Sequence, residues 1–352
     1  MKRTQEESEP LSSASGVIPK THHTRRIIVS AVLILLVLIV GTGLTYWLLL
    51  NHTVTTNVKH EALLPTPSAG ETLPVESPTT KDSSAKVPLA KVPLAKGAQN
   101  ILLIGSDSHT TVANGRSDVI ILMHITSDHK KVYLVHFPRD MYVEVPGRGK
   151  DKINAAYAYG GPQLLIRTLR NLVDVPVDHA AVIGFEGFKA MTDAVGGVDV
   201  YAAEASDEWG IAIHVGMNHL NGEAALAFVR ERYQLTEGDI SRGRRQQAFV
   251  KALMLKVLSK QTLTNPVRFA ALVDAVAHNL TVDNALSIAN IYSQALAMRD
   301  LRSEDIAFIT APITGFGKSP QGASIDIVDV AKMAQLSTAL RTDTMNSVAL
   351  GQ

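Results

Sequence analysis

The chain has no cysteine among its 352 residues. That absence excludes a disulfide framework, a thiolate nucleophile and cysteine-ligated zinc, and it fits a protein that works outside the cytoplasm. A basic excess is also missing. The 34 lysines and arginines are balanced by 33 aspartates and glutamates, for a net charge of +1, so composition gives no support for nucleic-acid binding. Two familiar catalytic signatures fail as well. "GFGKS" (315–319) is similar to a phosphate-binding loop, but Pro312 stands where that loop needs its first glycine. Ser106 and Ser108 have no evident His/Asp relay, which argues against serine catalysis.

What the sequence does contain begins with a long apolar run. "IIVSAVLILLVLIVGTGLTYWLLL", Ile27 to Leu50, carries no charge. At about 1.5 Å per residue it is long enough to cross a hydrocarbon core of about 30 Å. Lys2, Arg3, Lys20, Arg25 and Arg26 precede it, and Lys59 is the lone basic residue in the twenty that come after. This asymmetry predicts a cytoplasmic tail (1–26), a single transmembrane helix (27–50) and an extracellular remainder at the cell membrane. A cleaved signal peptide is the alternative, although its apolar region is usually shorter and no small-residue cleavage site follows closely. Residues 51–97 hold six of the fifteen prolines and a tandem "AKVPL" repeat, and they read as an extended extracellular linker.

From residue 98 the pattern changes to that of a folded domain running to 352. "NILLIG" (100–105), "DVIILMHIT" (118–126) and "KVYLVHF" (131–137) are short, nearly continuous apolar runs, as expected of strands buried on both faces. "AAVIGF" (180–185), "GVDVYA" (197–202) and "DIAFITA" (305–311) are further strands. "PQLLIRTLRNLV" (162–173), "GEAALAFVRER" (222–232) and "SRGRRQQAFVKALMLKVLSK" (241–260) have helical spacing. The interleaving predicts an α/β domain.

Within it, "VRERYQLTEGDISRGRRQQ" (229–247) gathers Arg230, Arg232, Arg242, Arg244 and Arg245 in a chain that is otherwise nearly neutral. Asp239 reads as a helix N-cap. Arginines in a first turn oppose the helix dipole unless an anion joins them, and the guanidinium fork matches phosphate oxygens. The competing reading is a solvated basic face. Asp107, after the first strand, and Asp118, opening the second, either cap turns or hold a hard cation. Arg116 beside Asp118 suits a pyrophosphate whose charge cation and arginine share. Arg139, in "FPRD", lies at a similar edge or simply pairs with Asp140. Lys152 and Asn154 precede a helix as solvated charge and cap or as further ligands. His124 and His136 sit inside apolar strands and read as core histidines.

"GSDS", "GRSDVIIL", "HFPRDMYVEVPG", "DKINAAYAYGG", "AVGGVDV", "HLNGEAALAFVRER" and "GDISRGRRQQ" together, in this order, resemble the motifs of the LytR-CpsA-Psr family over residues 97 to 345. The resemblance implies a three-layer α/β/α sandwich with a central mixed sheet behind one transmembrane helix. It implies transfer of a teichoic acid or capsular polysaccharide from a polyprenyl-pyrophosphate carrier to peptidoglycan through a phosphodiester link. Arg139, Asp239 and Arg242 would be catalytic. Arg116, Arg139, Lys152, Arg230, Arg232, Arg242, Arg245 and Gln246 would bind pyrophosphate. Asp107 and Asp118 would hold Mg2+, or Mn2+ in its place. Asp239 and Asp118 both remain as the general base. A polyprenyl-pyrophosphate hydrolase and a non-catalytic lipid-binding envelope regulator are the competing functions. Nothing resembles a helix-turn-helix, and no nucleic-acid partner is expected.

Overall fold

A computed structural model describes Leu48, residues 52–53, 56–66, 94–106, Gly115 and 117–348. The chain divides after Leu49 into two units, and the second, from Leu50, holds the folded domain. The expected cytoplasmic tail, the expected span apart from Leu48, and Asp107, Ser108 and Arg116 lie outside the described residues. No helix among the described residues is long and apolar enough to cross a membrane.

The centre is a seven-stranded mixed sheet. In chain order its strands are β1 (Lys59–Glu61), β2 (Gln99–Ser106), β3 (Ser117–Ile125), β4 (Val132–His136), β5 (His179–Ile183), β6 (Leu280–Asp283) and β7 (Ile306–Thr310), arranged β1-β6-β5-β2-β3-β4-β7. Neighbours pair in different senses: β2 is antiparallel to β3 and parallel to β5, and β4 is antiparallel to β3 and parallel to β7. The helices that pack around the sheet and beside it include α1 (Ile153–Val173), α2 (Phe185–Ala194), α3 (Gly222–Arg230), α4 (Asp239–Leu258), α5 (Pro266–Asn279), α6 (Ile288–Ala297) and α7 (Val330–Thr342).

Strand alternation sorts the apolar side chains to two faces. Leu102, Ile104, Ile120 and Leu122 pack with Leu165, Ile166 and Leu169 of α1 and Met333, Leu336 and Leu340 of α7. Ile101, Leu103, Ile121 and Met123 pack on the other side with Met254 and Leu258 of α4, Ala295 of α6 and Met298 just beyond it. Because both faces are covered, the strands read as continuous apolar runs, and three layers result.

Three features depart from the sequence expectation. Part of the expected linker belongs to the domain: β1 pairs in parallel with β6, Lys59 opposite Thr281, and Leu63 is buried in the main core. An edge strand of sequence KHE is held by backbone bonds and carries no apolar run to announce it. The strand expected at 197–202 is not in the sheet. Val198–Ala202 pairs with Gly216–Leu220 in a separate two-stranded antiparallel sheet whose first strand buries alternate residues, so one face meets water. That sheet, α2, α3, α5 and the Phe249 side of α4 enclose a second core around Val198, Val200, Phe228 and Leu272. Finally, α1 begins at Ile153 and kinks at Gly160 and Gly161 before Pro162. Gly161 has φ 61°, which suits glycine, and Pro162 then opens the straight part of the helix.

Candidate active site

The sheet places its functional loops at one end. β2 ends at Ser106, which pairs with Ser117 at the start of β3, and β4 ends at His136, opposite Ile121. Continuing this register brings Asp118 opposite Arg139, and the two meet: Arg139 Nη1 donates to Asp118 Oδ1 at 2.6 Å. Arg139 Nε also lies 3.6 Å from Asp140 Oδ2, and Lys152 Nζ lies 2.7 Å from Asp140 Oδ1. Lys152 ends the hairpin Tyr142–Val145/Gly149–Lys152, which is what carries it back to this edge. Asn154, nearly buried at the first turn of α1, donates its backbone N–H to the Arg139 carbonyl at 3.2 Å and so helps fix the arginine loop. Asp107 follows Ser106 directly in sequence.

The first turns of α4 close over the same end. Gly243 lies over the His136 ring; a Cβ built there would sit 4.0 Å from His136 Cε1. Gln247 Nε2 donates to Thr310 Oγ1, at the end of β7, at 3.0 Å. The Arg242 charge therefore reaches His136, whose pKa is lowered to about 4, first by burial and second by Arg242. His136 is thus a buried histidine that also feels the Arg242 charge. A lowered folded pKa means that the unfolded chain takes up the proton first as pH falls through about 6.5. Native stability is then lost between that pH and about 4, by at most about 3 kcal/mol. Urea midpoints measured from pH 7 to pH 4.5 should fall less for His136→Gln than for the native chain. Identical pH slopes would contradict this assignment.

The five arginines of the basic stretch do not form one patch. Arg230, ending α3, has its guanidinium carbon 4.7 Å from the Phe185 ring centroid and 5.2 Å from that of Trp209. Arg232 stacks 4.5 Å over Tyr233 and donates to its hydroxyl. Arg244 pairs with Glu237 and is largely exposed. Arg245, expected as a pyrophosphate ligand, is held within the protein. It is only 6 % exposed, donates to Ser206 Oγ at 2.8 Å and to the Glu204 carbonyl at 2.6 Å, and stacks on Phe228 at 4.7 Å. Its fork is committed to holding α4 against α3 and the Ser206 strand. Gln246 is likewise buried and donates to the Val229 carbonyl at 3.3 Å, again tying α4 to α3. Arg242 alone of the three helix arginines is placed toward the sheet edge, through His136. Asp239 is the first residue of α4, and the cap is Gly238, with φ 54°, so the expected aspartate cap is replaced by a glycine turn.

Sequence reasoning missed two further residues. Glu204 Oε2 accepts from Thr236 N–H at 2.7 Å and its Oε1 from Ser241 Oγ at 2.7 Å; the Thr236 bonds most, then Ser241, draw its pKa down to about 2. It anchors the start of α4. Glu231, only 1 % exposed, accepts from Tyr233 N–H at 2.6 Å and Gln234 N–H at 3.0 Å and shapes the turn that separates Arg230 from Arg232. No sequence pattern distinguishes these acids from solvated ones.

Among the described residues, no group of three or more His, Asp or Glu side chains is arranged to hold a metal. Asp118 offers a half-exposed carboxylate, and the adjacent Ser117 Oγ is fully buried with no hydrogen-bond partner. These are hard oxygen donors, and one or two carboxylates completed by water and phosphate oxygens suffice for Mg2+. The residues present therefore fit the ion.

The model of the LytR_cpsA_psr family matches residues 69–342. The chain is 32 % identical over 283 residues to the cell wall biosynthesis protein LcpA of Corynebacterium glutamicum, covering 67 % of this chain and 54 % of LcpA. It is 33 % identical over 245 residues to the polyisoprenyl-teichoic acid–peptidoglycan teichoic acid transferase TagU of Enterococcus faecalis, covering 69 % of this chain and 78 % of TagU. The chain thus spans about half the length of the first relative and most of the second. Among solved structures, Bacillus subtilis TagV aligns with TM-score 0.61 at 27 % identity, over 71 % of this chain and 99 % of TagV. TagT bound to LI-WTA aligns with TM-score 0.60 at 25 % identity, over 73 % of this chain and 95 % of TagT. On the motifs, the mixed sheet and these matches, the chain belongs to the LytR_cpsA_psr family.

Proposed function

We propose that this protein transfers an anionic glycopolymer, a teichoic acid or wall polysaccharide, from a polyprenyl-pyrophosphate carrier to peptidoglycan. The observation that carries the proposal is the meeting, at one end of the sheet, of Arg139, paired with Asp118, and the Arg242 turn of α4, which lies over His136. The names of TagU and LcpA agree with it. In the reaction, an acceptor hydroxyl oxygen forms a bond to the phosphorus that bears the polymer. The bond from that phosphorus to the bridging oxygen breaks, polyprenyl phosphate leaves, and the hydroxyl proton passes to a carboxylate. Asp118 and Asp239 are the candidates to receive it.

Arginine forks neutralise the pyrophosphate and the charge that develops on it, the main source of catalysis in phosphoryl transfer. Lys152, held by Asp140, adds a point charge beside Arg139. We assign Asp107 and Asp118 as the residues that would hold Mg2+ or Mn2+, which when bound supplies charge neutralisation at the leaving phosphate. Residues 27–50 would anchor the domain outside the cell membrane, which raises the effective concentration of a lipid-borne donor. The test is a transfer assay with lipid-linked donor and peptidoglycan. Polymer joined to peptidoglycan with release of polyprenyl phosphate is the expected outcome. Polymer phosphate released into solution would identify a hydrolase, and donor bound but unchanged would identify a binding protein; either result overturns the proposal.

A further inference from the structure

The turn at Trp209 is built against its own local preferences. Glu208 pairs with Ile211, so Trp209-Gly210 is a two-residue hairpin loop with φ 57° and 76°. Such a turn favours asparagine or glycine at its first position, and a bulky side chain there is strained. The tryptophan is nonetheless 59 % exposed, so burial of its ring does not account for it. Strain of this kind concentrates at functional sites.

Its surroundings indicate what it serves. Arg230 lies between the Phe185 and Trp209 rings, and Tyr233, 83 % exposed, carries Arg232 on its face. The two aromatic segments are clamped together: Asp207 N–H donates to Gln234 Oε1 at 2.8 Å, and Gln234 Nε2 donates to the Asp207 carbonyl at 2.6 Å. An exposed, electron-rich ring face beside a guanidinium fork matches a ligand with an apolar C–H face joined to an anion. A sugar ring attached to a phosphate has that character.

We propose that Trp209 and Tyr233 form a stacking platform for a sugar ring next to the phosphate held by Arg230 and Arg232. The assignment rests on the transfer function proposed for this site. The sugar belongs either to the carrier-linked donor or to the peptidoglycan acceptor, and the test separates the two by direct binding, without requiring turnover. The full chain in detergent is titrated with farnesyl pyrophosphate, with farnesyl pyrophosphate bearing an N-acetylated disaccharide, and with a soluble peptidoglycan glycan strand. Trp209→Ala should weaken one of the two sugar probes about tenfold while leaving farnesyl pyrophosphate unchanged, and Trp209→Phe should retain most of the affinity. Loss on the disaccharide probe assigns the platform to the donor; loss on the glycan strand assigns it to the acceptor. Tyr233→Ala, at an exposed position, is the second variant and should act on the same probe should Trp209→Ala fail to fold. Unchanged affinity for both sugar probes overturns the platform. So does an equal loss on all three probes, which would make Trp209 a prop for Arg230 only. If the proposed transfer fails but the sugar-dependent loss is seen, the platform stands and the reaction does not.

Discussion

Transfer by an Arg139→Ala variant is expected to fall by about two to three orders of magnitude, with the fold intact. The size comes from what the side chain faces. Donors fixed in advance toward developing charge are each worth about 10²–10³ in rate. Arg139 is fixed in advance: the Asn154 backbone N–H holds its carbonyl, and Asp118 and Asp140 hold its guanidinium. Stability should change little, because the Asp118 pair is partly open to water and such pairs contribute about 1 kcal/mol or less. Arg139→Lys should recover part of the rate, since it keeps the charge and loses the bidentate fork. The measurement is the transfer rate at saturating donor beside a thermal unfolding curve. A rate within about fivefold of the native protein, with an unchanged unfolding midpoint, would make Arg139 a surface ion pair, worth far less than a fixed donor.

Much of this edge was legible in the sequence, and the reason is register. Asp118 and Arg139 stand at the margins of continuous apolar runs, and such runs are strands whose ends carry loops. The strand directions were not legible, because an apolar run looks the same in either sense; the mixed order emerges only from the pairings. β1 was missed because three polar residues that pair by backbone leave no hydrophobic signature.

The arginine stretch shows the limit differently. Helical spacing does place Arg242 and Arg245 on one side of α4. What separates them is the packing of α3, whose Phe228 and Val229 are held by Arg245 and Gln246, and of the strand bearing Ser206, which is 39 residues from Arg245 in sequence. Charge can be counted from a sequence, but the partner that a charge is committed to cannot. Trp209 could have been found from "SDEWGIAI", where a two-residue WG loop joins two short strands and a tryptophan occupies a position that favours asparagine.

Asp118→Asn is expected to move the Mg2+ dependence of transfer to concentrations at least about tenfold higher and to lower the rate at ordinary Mg2+. The substitution preserves shape and removes one negative charge, which a hard cation needs more than the amide can replace. Even groups that only orient metal ligands alter metal affinity about 10–100-fold, so loss of a ligand should do no less. Farnesyl pyrophosphate binding should fall less than transfer, because Arg230, Arg232 and Arg242 are untouched. The structure offers Asp118 a second task, since it also receives Arg139 Nη1 at 2.6 Å. The two tasks give different curves. If Asp118 only orients Arg139, the variant loses rate by a constant factor at every Mg2+ concentration and the midpoint stays in place. If it holds the ion, the midpoint shifts and added Mg2+ recovers part of the loss. Native and variant curves that superimpose would falsify both roles. A chelator titration on the native protein fixes the baseline for the comparison: removal of divalent cations should abolish transfer while the arginine sites still bind farnesyl pyrophosphate weakly.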